Sequence, residues 1–349
     1  MDKSGAGAYI FAKANGILGK SFTGSRAQQL FGQKSLSELW TLLFRSQAPM
    51  VPEVLLSQQI EEQAFSDFIK QYVNFINMYD KPEPVLIDQL LLFEGENLKE
   101  IGAALCKGEQ ELPKLIDLGP FSSLNEKAWP DIQKITRGTP FSWYNKVPGI
   151  HEQQSLEFKI DIQVCRHLWD SAQKERGEAG EALLELYRQE FIIKNIVWVL
   201  RLRLYYKLKS EEIAHNLIYV TDKPGHSDPV AAPALKILEW PLDEYEPWSE
   251  WKYASLVNPH VEGQVWQIDP VWIEKRNRLQ ISRKASKLFH QFPGEPASLI
   301  GWYKMKNFEL SCIRTAVESI RLNVNSDEAM DAVGLFDSDM PQPQGGING

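Results

Sequence analysis

Along most of the chain the apolar residues recur at steps of three and four. Ile60, Ala64, Phe65, Phe68, Ile69, Tyr72, Val73 and Ile76 make one such stripe, the face of an amphipathic helix, because 3.6 residues per turn brings positions i+3 and i+4 back to one side. Leu156, Ile160, Val164 and Leu168 make a second, and Leu310, Ile313, Val317, Ile320 and Val324 a third. Alternation of period two is short and rare; "HNLIYV" and "GQVWQID" are the best candidate strands. The pattern predicts an all-α fold with proline- and tryptophan-rich connections.

The helical stretches repeat. One runs from "LWTLLFRSQAP" to "LLLFEGENLKEIGAAL", the next from "WPDIQKITRGTP" to "RQEFIIKNIVWVLRLR", the last from "WKYASLVNP" to "GWYKMKNFELSCIRTAV". Each opens with a Trp-led segment closing at a proline (Pro49, Pro140, Pro259), and continues into a helix expected to carry glutamate near its start (Glu62, Glu157, Glu274). A second helix follows, marked by Asn97, Asn195 and Glu309, which lie 35, 38 and 35 residues beyond those glutamates. The period is far longer than that of tetratricopeptide or ankyrin arrays and suggests a pseudo-threefold body of three related helical modules. The expected organisation is an N-terminal helix plus module 1 over 1–118, module 2 over 119–218, a loop-rich connection plus module 3 over 219–326, and a flexible tail over 327–349.

Composition narrows the partners. A net charge of −8 lacks the basic footprint of nucleic-acid binding. The cysteines, Cys106, Cys165 and Cys312, are odd in number and widely spaced, which argues against a disulfide framework or a zinc knuckle. Lys13, Asn15 and Lys20 break up any secretory apolar core. Lys194, Arg201 and Arg203 interrupt the longest apolar run, so no transmembrane segment is expected. A cytoplasmic chain is the expectation.

Candidate chemistry is sparse. "ANGILGKS" imitates a phosphate-binding loop, but Ala14 stands where its first glycine belongs and no buried strand precedes it; it reads as a glycine-softened part of an N-terminal helix. The six histidines are dispersed. Glu212 and His215 make one Glu-x-x-His, and a bundle di-iron site needs two; a solvated helix end is the simpler reading. No nucleophile elbow or dinucleotide fingerprint occurs. No catalytic residue, cofactor or metal is expected.

"FEGENLKEIGAALCKGE", "LYRQEFIIKNIVWVLRLRLYYK" and "LIGWYKMKNFELSCIRTAVESI", together with the opening "AYIFAKANGILGKSF" and "LSELWTLL", resemble the C subunit of V/A-type ATPases, called subunit d in eukaryotes. The resemblance covers about residues 8 to 325. Copy two departs from it with Lys194 where copy one has Glu96, and copy three with Glu309 in place of asparagine. It implies a funnel of three helical modules, a non-catalytic rotor subunit peripheral to the membrane. One face would receive the central-shaft subunits (D and F type), the other would sit on the proteolipid ring, and ATP would be hydrolysed elsewhere. On that reading Arg201, Arg203, Lys207, Arg314 and Arg321 would wall a cationic socket for an acidic shaft end; a solvated helix face is the plainer alternative. Asn97, Asn195 and Glu309 read as structural, bridging or capping within each module. A helical scaffold of another assembly, or a helical enzyme with an unreadable site, are the rival functions.

Overall fold

The computed structural model describes residues 1–335, and every regular element among them is helical. The architecture rests on α1 (Lys3–Leu18), α2 (Leu36–Phe44), α3 (Glu53–Ile76), α4 (Leu91–Lys107), α5 (Gln153–Ala172), α6 (Gly177–Leu204), α7 (Pro270–Gln291), α8 (Pro296–Leu322) and α9 (Ser326–Ala332). Local chemistry sets their ends. Asp2 accepts the Gly5 N–H (2.9 Å) at the start of α1, and Asp269 accepts the Val271 N–H (2.8 Å) at the start of α7, where Pro270 adds a preset φ. Gly108, at φ 72°, ends α4 in the left-handed conformation that glycine adopts without strain.

The three predicted helix pairs are α3 with α4, α5 with α6, and α7 with α8. The first helix of each pair packs on the second helix of the preceding pair: α5 on α4, α7 on α6, and α3 on α8. The last of these contacts closes the chain head to tail. The first part of α8, from Pro296 to Met305, is buried all round, with Leu299, Ile300, Trp302, Tyr303 and Met305 all inside. Its backbone comes so close to α7 that a Cβ on Gly301 would lie 2.6 Å from the Ala285 carbonyl oxygen.

Most buried apolar residues form one continuous core. A second core gathers Phe22, Leu30 and Leu39 from the beginning of the chain with Phe308, Cys312 and Val317 from its end.

Several expectations change. "HNLIYV" and "GQVWQID" form no strand. The Ile218 peptide groups in the first are taken by the Asn195 side chain instead of a neighbouring strand, and in the second Ile268 makes a single backbone bond, to Leu242 (2.9 Å). Glu157 and Glu274 do lie near their helix starts, but Glu62 sits well inside α3, which begins already at Glu53. The supposed tail begins with α9, because Ala329, Met330 and Val333 bury themselves in the second core; residues 336–349 lie outside the described part. "ANGIL" is the last part of α1, the N-terminal helix expected there, and Ser21 turns back to the Ile17 carbonyl (3.0 Å).

Candidate functional site

The landmark residues of the three second helices do one job. Asn97 is buried on α4, donates to the Ile116 carbonyl (2.9 Å) and accepts the Ile116 N–H (2.7 Å). Asn195 on α6 treats Ile218 alike, donating at 2.9 Å and accepting at 2.8 Å, and donates also to the Val230 carbonyl (3.1 Å). A planar amide offers a donor and an acceptor side by side, which matches the two groups of an extended residue. Glu309 on α8 has no donor, and correspondingly accepts a single backbone N–H, that of Phe22 (2.6 Å), 287 residues earlier. Its second oxygen pairs with Lys306, whose ammonium also donates to Ser21 Oγ (3.0 Å). Each clamp thus holds the segment that leads into the next pair of helices, the third reaching back to the chain start.

The basic residues are largely tied into the same joints. Arg201 on α6 pairs with Glu274 on α7 (2.7 Å), and Arg314 on α8 with Glu61 on α3 (3.2 Å). Lys99, which no socket reading included, joins α4 to Asp161 on α5 (2.7 Å). Burial disfavours its charge, but hydrogen bonds to Asp161 and Glu96 outweigh that and raise its pKa. Arg203 donates to the Ile237 and Trp240 carbonyls (2.9 and 2.8 Å) and so anchors the tryptophan-rich connection. Arg321 pairs with Glu318 one turn away (2.7 Å). Lys207 stands exposed at φ 52° beside the exposed Tyr205 and Tyr206. Within the connection itself, fully buried Asp228 accepts the N–H groups of Val220, Thr221, Val230 and Ala231, which fixes the loop.

Other polar groups meet where the second helices converge. Glu190 and Lys304 lie five residues before Asn195 and Glu309, and they pair at 2.6 Å with Lys304 almost wholly buried. Gln89 and Tyr187, eight before Asn97 and Asn195, are both fully buried and bonded (2.7 Å). Burial pushes the Tyr187 and Tyr303 hydroxyls well above their usual pKa. Equal offsets from the landmarks were the available signal for these residues, with opposite charges at one of them. These side chains are buried together at one end of the helix assembly, here called the closed end.

The opposite end carries exposed apolar residues. Hairpin geometry puts the start of each first helix beside the end of a second helix, as the Arg201–Glu274 pair shows for α7 and α6; the Lys275–Asp331 pair (2.7 Å) ties the same start to α9. Met50, Val54 and Leu55 are exposed at the start of α3, Val147 and Ile150 before α5, and Val261, Val265 and Val271 around the start of α7. All three groups follow the repeated proline and lie at this end, here called the mouth, together with Tyr205, Tyr206 and Leu322.

Reactive chemistry has little footing. Among the described residues no group of three His, Cys, Asp or Glu side chains could hold a metal. His215 Nδ1 contacts the Glu211 carbonyl (2.7 Å) at a short helix's exposed end, and Glu212 accepts the Lys209 N–H (3.1 Å). Burial pushes the Cys165 thiol up to about 11 and the Cys312 thiol to about 12, away from nucleophilic use. No helix among the described residues is long and apolar enough to cross a membrane.

Comparison with known proteins agrees with this architecture. The sequence model of the family described as ATP synthase (C/AC39) subunit matches residues 10–332. A protein of Treponema pallidum (strain Nichols), itself described as uncharacterized, is 26% identical over 324 residues, covering 92% of this chain and 94% of its own. With the family model spanning nearly the whole chain, the protein belongs to the C/AC39 subunit family of V/A-type ATP synthases.

Proposed function

We propose that the protein is the non-catalytic coupling subunit of a V/A-type ATPase rotor. In this reading its three helix pairs form a pseudo-threefold funnel. The mouth receives the central-shaft subunits of D and F type, the closed end rests on the proteolipid ring, and the protein sits on the cytoplasmic side through the complex. The observation that carries the reading is the recurrence of exposed apolar residues at one place in all three pairs. Met50 and Val265 are each 98% exposed and Ile150 78%, a cost of apolar surface left in water that a lone folded chain has no reason to repeat three times, and clustered apolar exposure marks a protein-binding surface. A stable contact of this kind covers roughly 1,000 Å² or more, which three lobes around an opening can supply. The cyclic helix packing supports a body that transmits torque, since close-packed interiors deform little. Lys207, with Tyr205 and Tyr206, is the basic residue most open to a partner; Arg201, Arg203, Arg314 and Arg321 would reach an acidic shaft end only as members of their present ion pairs and carbonyl contacts. The acidic chain has no electrostatic affinity for anionic lipid, so its place at the membrane comes from protein contacts.

The test is co-expression with the shaft and proteolipid subunits, followed by affinity capture. Wild type should retain both, while Met50→Asp, Ile150→Asp and Val265→Asp together should weaken shaft capture by about tenfold or more at unchanged melting temperature. Undiminished capture would remove the mouth from the interface. Absence of both partners from the wild-type complex would favour a scaffold of some other assembly.

A further inference from the structure

The three joints between helix pairs are not built alike. Those of α4 with α5 and α6 with α7 draw on the main core, and their clamps hold segments that follow directly in the chain. The joint of α8 with α3 is divided. Toward the closed end, main-core aromatics hold it: Tyr72 against Tyr303 and Phe75 against Trp302, at ring-centroid distances of 5.0 and 5.1 Å. Toward the mouth it belongs to the second core, where Leu56 and Ile60 of α3 meet Cys312, Ile313 and Val317 of α8.

The boundary between the two cores runs through α8, between Met305 in one and Phe308 in the other. Glu309 and Lys306 stand at that boundary and hold Ser21 and Phe22. A cavity of about 260 Å³ opens beside them, bordered by Phe22, Phe68, Gln71, Lys306 and Glu309. Gln71 Oε1 is buried there without a hydrogen-bond partner. This joint therefore combines a separate core, an imperfectly filled boundary and a clamp whose two sides lie at opposite ends of the chain.

We propose that the α8–α3 joint is a gate: its mouth half parts from the body, pivoting on the Tyr72–Phe75–Trp302–Tyr303 cluster, and Glu309 with Lys306 is the catch that holds Ser21–Phe22 shut. Opening costs the second core, the catch and the exposed Arg314–Glu61 pair, so it precedes global unfolding, as sub-global openings do where a cooperative unit has its own contacts. The other two joints share the main core and open only with the whole molecule. The gate widens the mouth on one side, whatever partner the mouth receives.

Native cysteines report on the two cores. Cys312 lies in the second core and Cys165 in the main one, and both are buried and free. The intact protein is treated with iodoacetamide under native conditions and each thiol is followed by peptide mass spectrometry, with half-buried Cys106 as the fast reference. Cys312 should react at least about tenfold faster than Cys165 in the wild type. Glu309→Ala should accelerate Cys312 by a further factor of about ten and leave Cys165 unchanged. Equal rates for Cys312 and Cys165 in the wild type, a comparison that needs no variant to fold, would show a single global opening and overturn the gate. Acceleration of both thiols together by Glu309→Ala would also overturn it.

Discussion

Replacing Asn195 by alanine strips the partners from three backbone groups at once: the Ile218 N–H and the carbonyls of Ile218 and Val230. Asn195, Ile218 and Val230 are all fully buried, so bulk water does not reach the orphaned groups. Each such group costs about 1–3 kcal/mol, which sums to about 3–9 kcal/mol. A water molecule admitted into the vacated amide space can re-bond part of the set, and a loss of about 3–5 kcal/mol is the expected result. With an unfolding entropy near 2.1 cal/mol/K per residue over 349 residues, that is a fall in melting temperature of about 4–7 °C. Asn97→Ala is the internal control. It frees only the two groups of Ile116, a residue that solvent partly reaches, and should cost about 1–2 kcal/mol. Urea unfolding followed by tryptophan fluorescence would measure both variants in parallel. Equal losses for the two, or a loss below about 1 kcal/mol for Asn195→Ala, would refute the assignment of these side chains as backbone clamps.

Two further outcomes follow from particular contacts. The pKa of Lys99 is raised above the usual 10.5 because bonding to Asp161 and Glu96 outweighs burial; a raised folded pKa means stability fully present below the unfolded value and lost as pH climbs through the folded one. Asp161→Asn should therefore cost about 1 kcal/mol at neutral pH, with the gap to wild type closing in alkaline solution, and a gap that persists there in urea titrations would contradict the pairing. Gly301→Ala places a methyl 2.6 Å from the Ala285 carbonyl oxygen and 2.9 Å from the Phe289 nitrogen, both backbone atoms of α7. It should cost about 1–3 kcal/mol through overpacking, despite alanine's better helix propensity, and a melting temperature at or above wild type would show that α7 and α8 have room to part.

Much of the architecture could be read before any coordinates. Apolar spacing located the long helices, including the six that the repeated order of Trp-led segment, proline and two helices had marked, because stripe position and chain-breaking residues are local properties. The candidate strands misled for a physical reason: a short branched run such as "NLIYV" has the pattern of a strand, but the hydrogen-bonding groups of Ile218 go to an asparagine side chain rather than to a neighbouring strand. The tail boundary failed similarly, since α9 is too short to show a period and is stabilised by Phe31, Met330 and their neighbours in the second core.

By itself, then, the amino-acid order determined the long helices and the family to which the chain belongs. It also marked Asn97, Asn195 and Glu309 as landmarks of equivalent position. Which groups those landmarks bind, that Arg201 and Arg314 are occupied by Glu274 and Glu61, and that the third joint is closed by a segment 287 residues away were decided only by the tertiary structure. A hydrophobic stripe states which face of a helix is buried but carries no label for the surface that covers it. A polar side chain likewise declares what it can donate or accept, while its partner is set by the path of the folded chain.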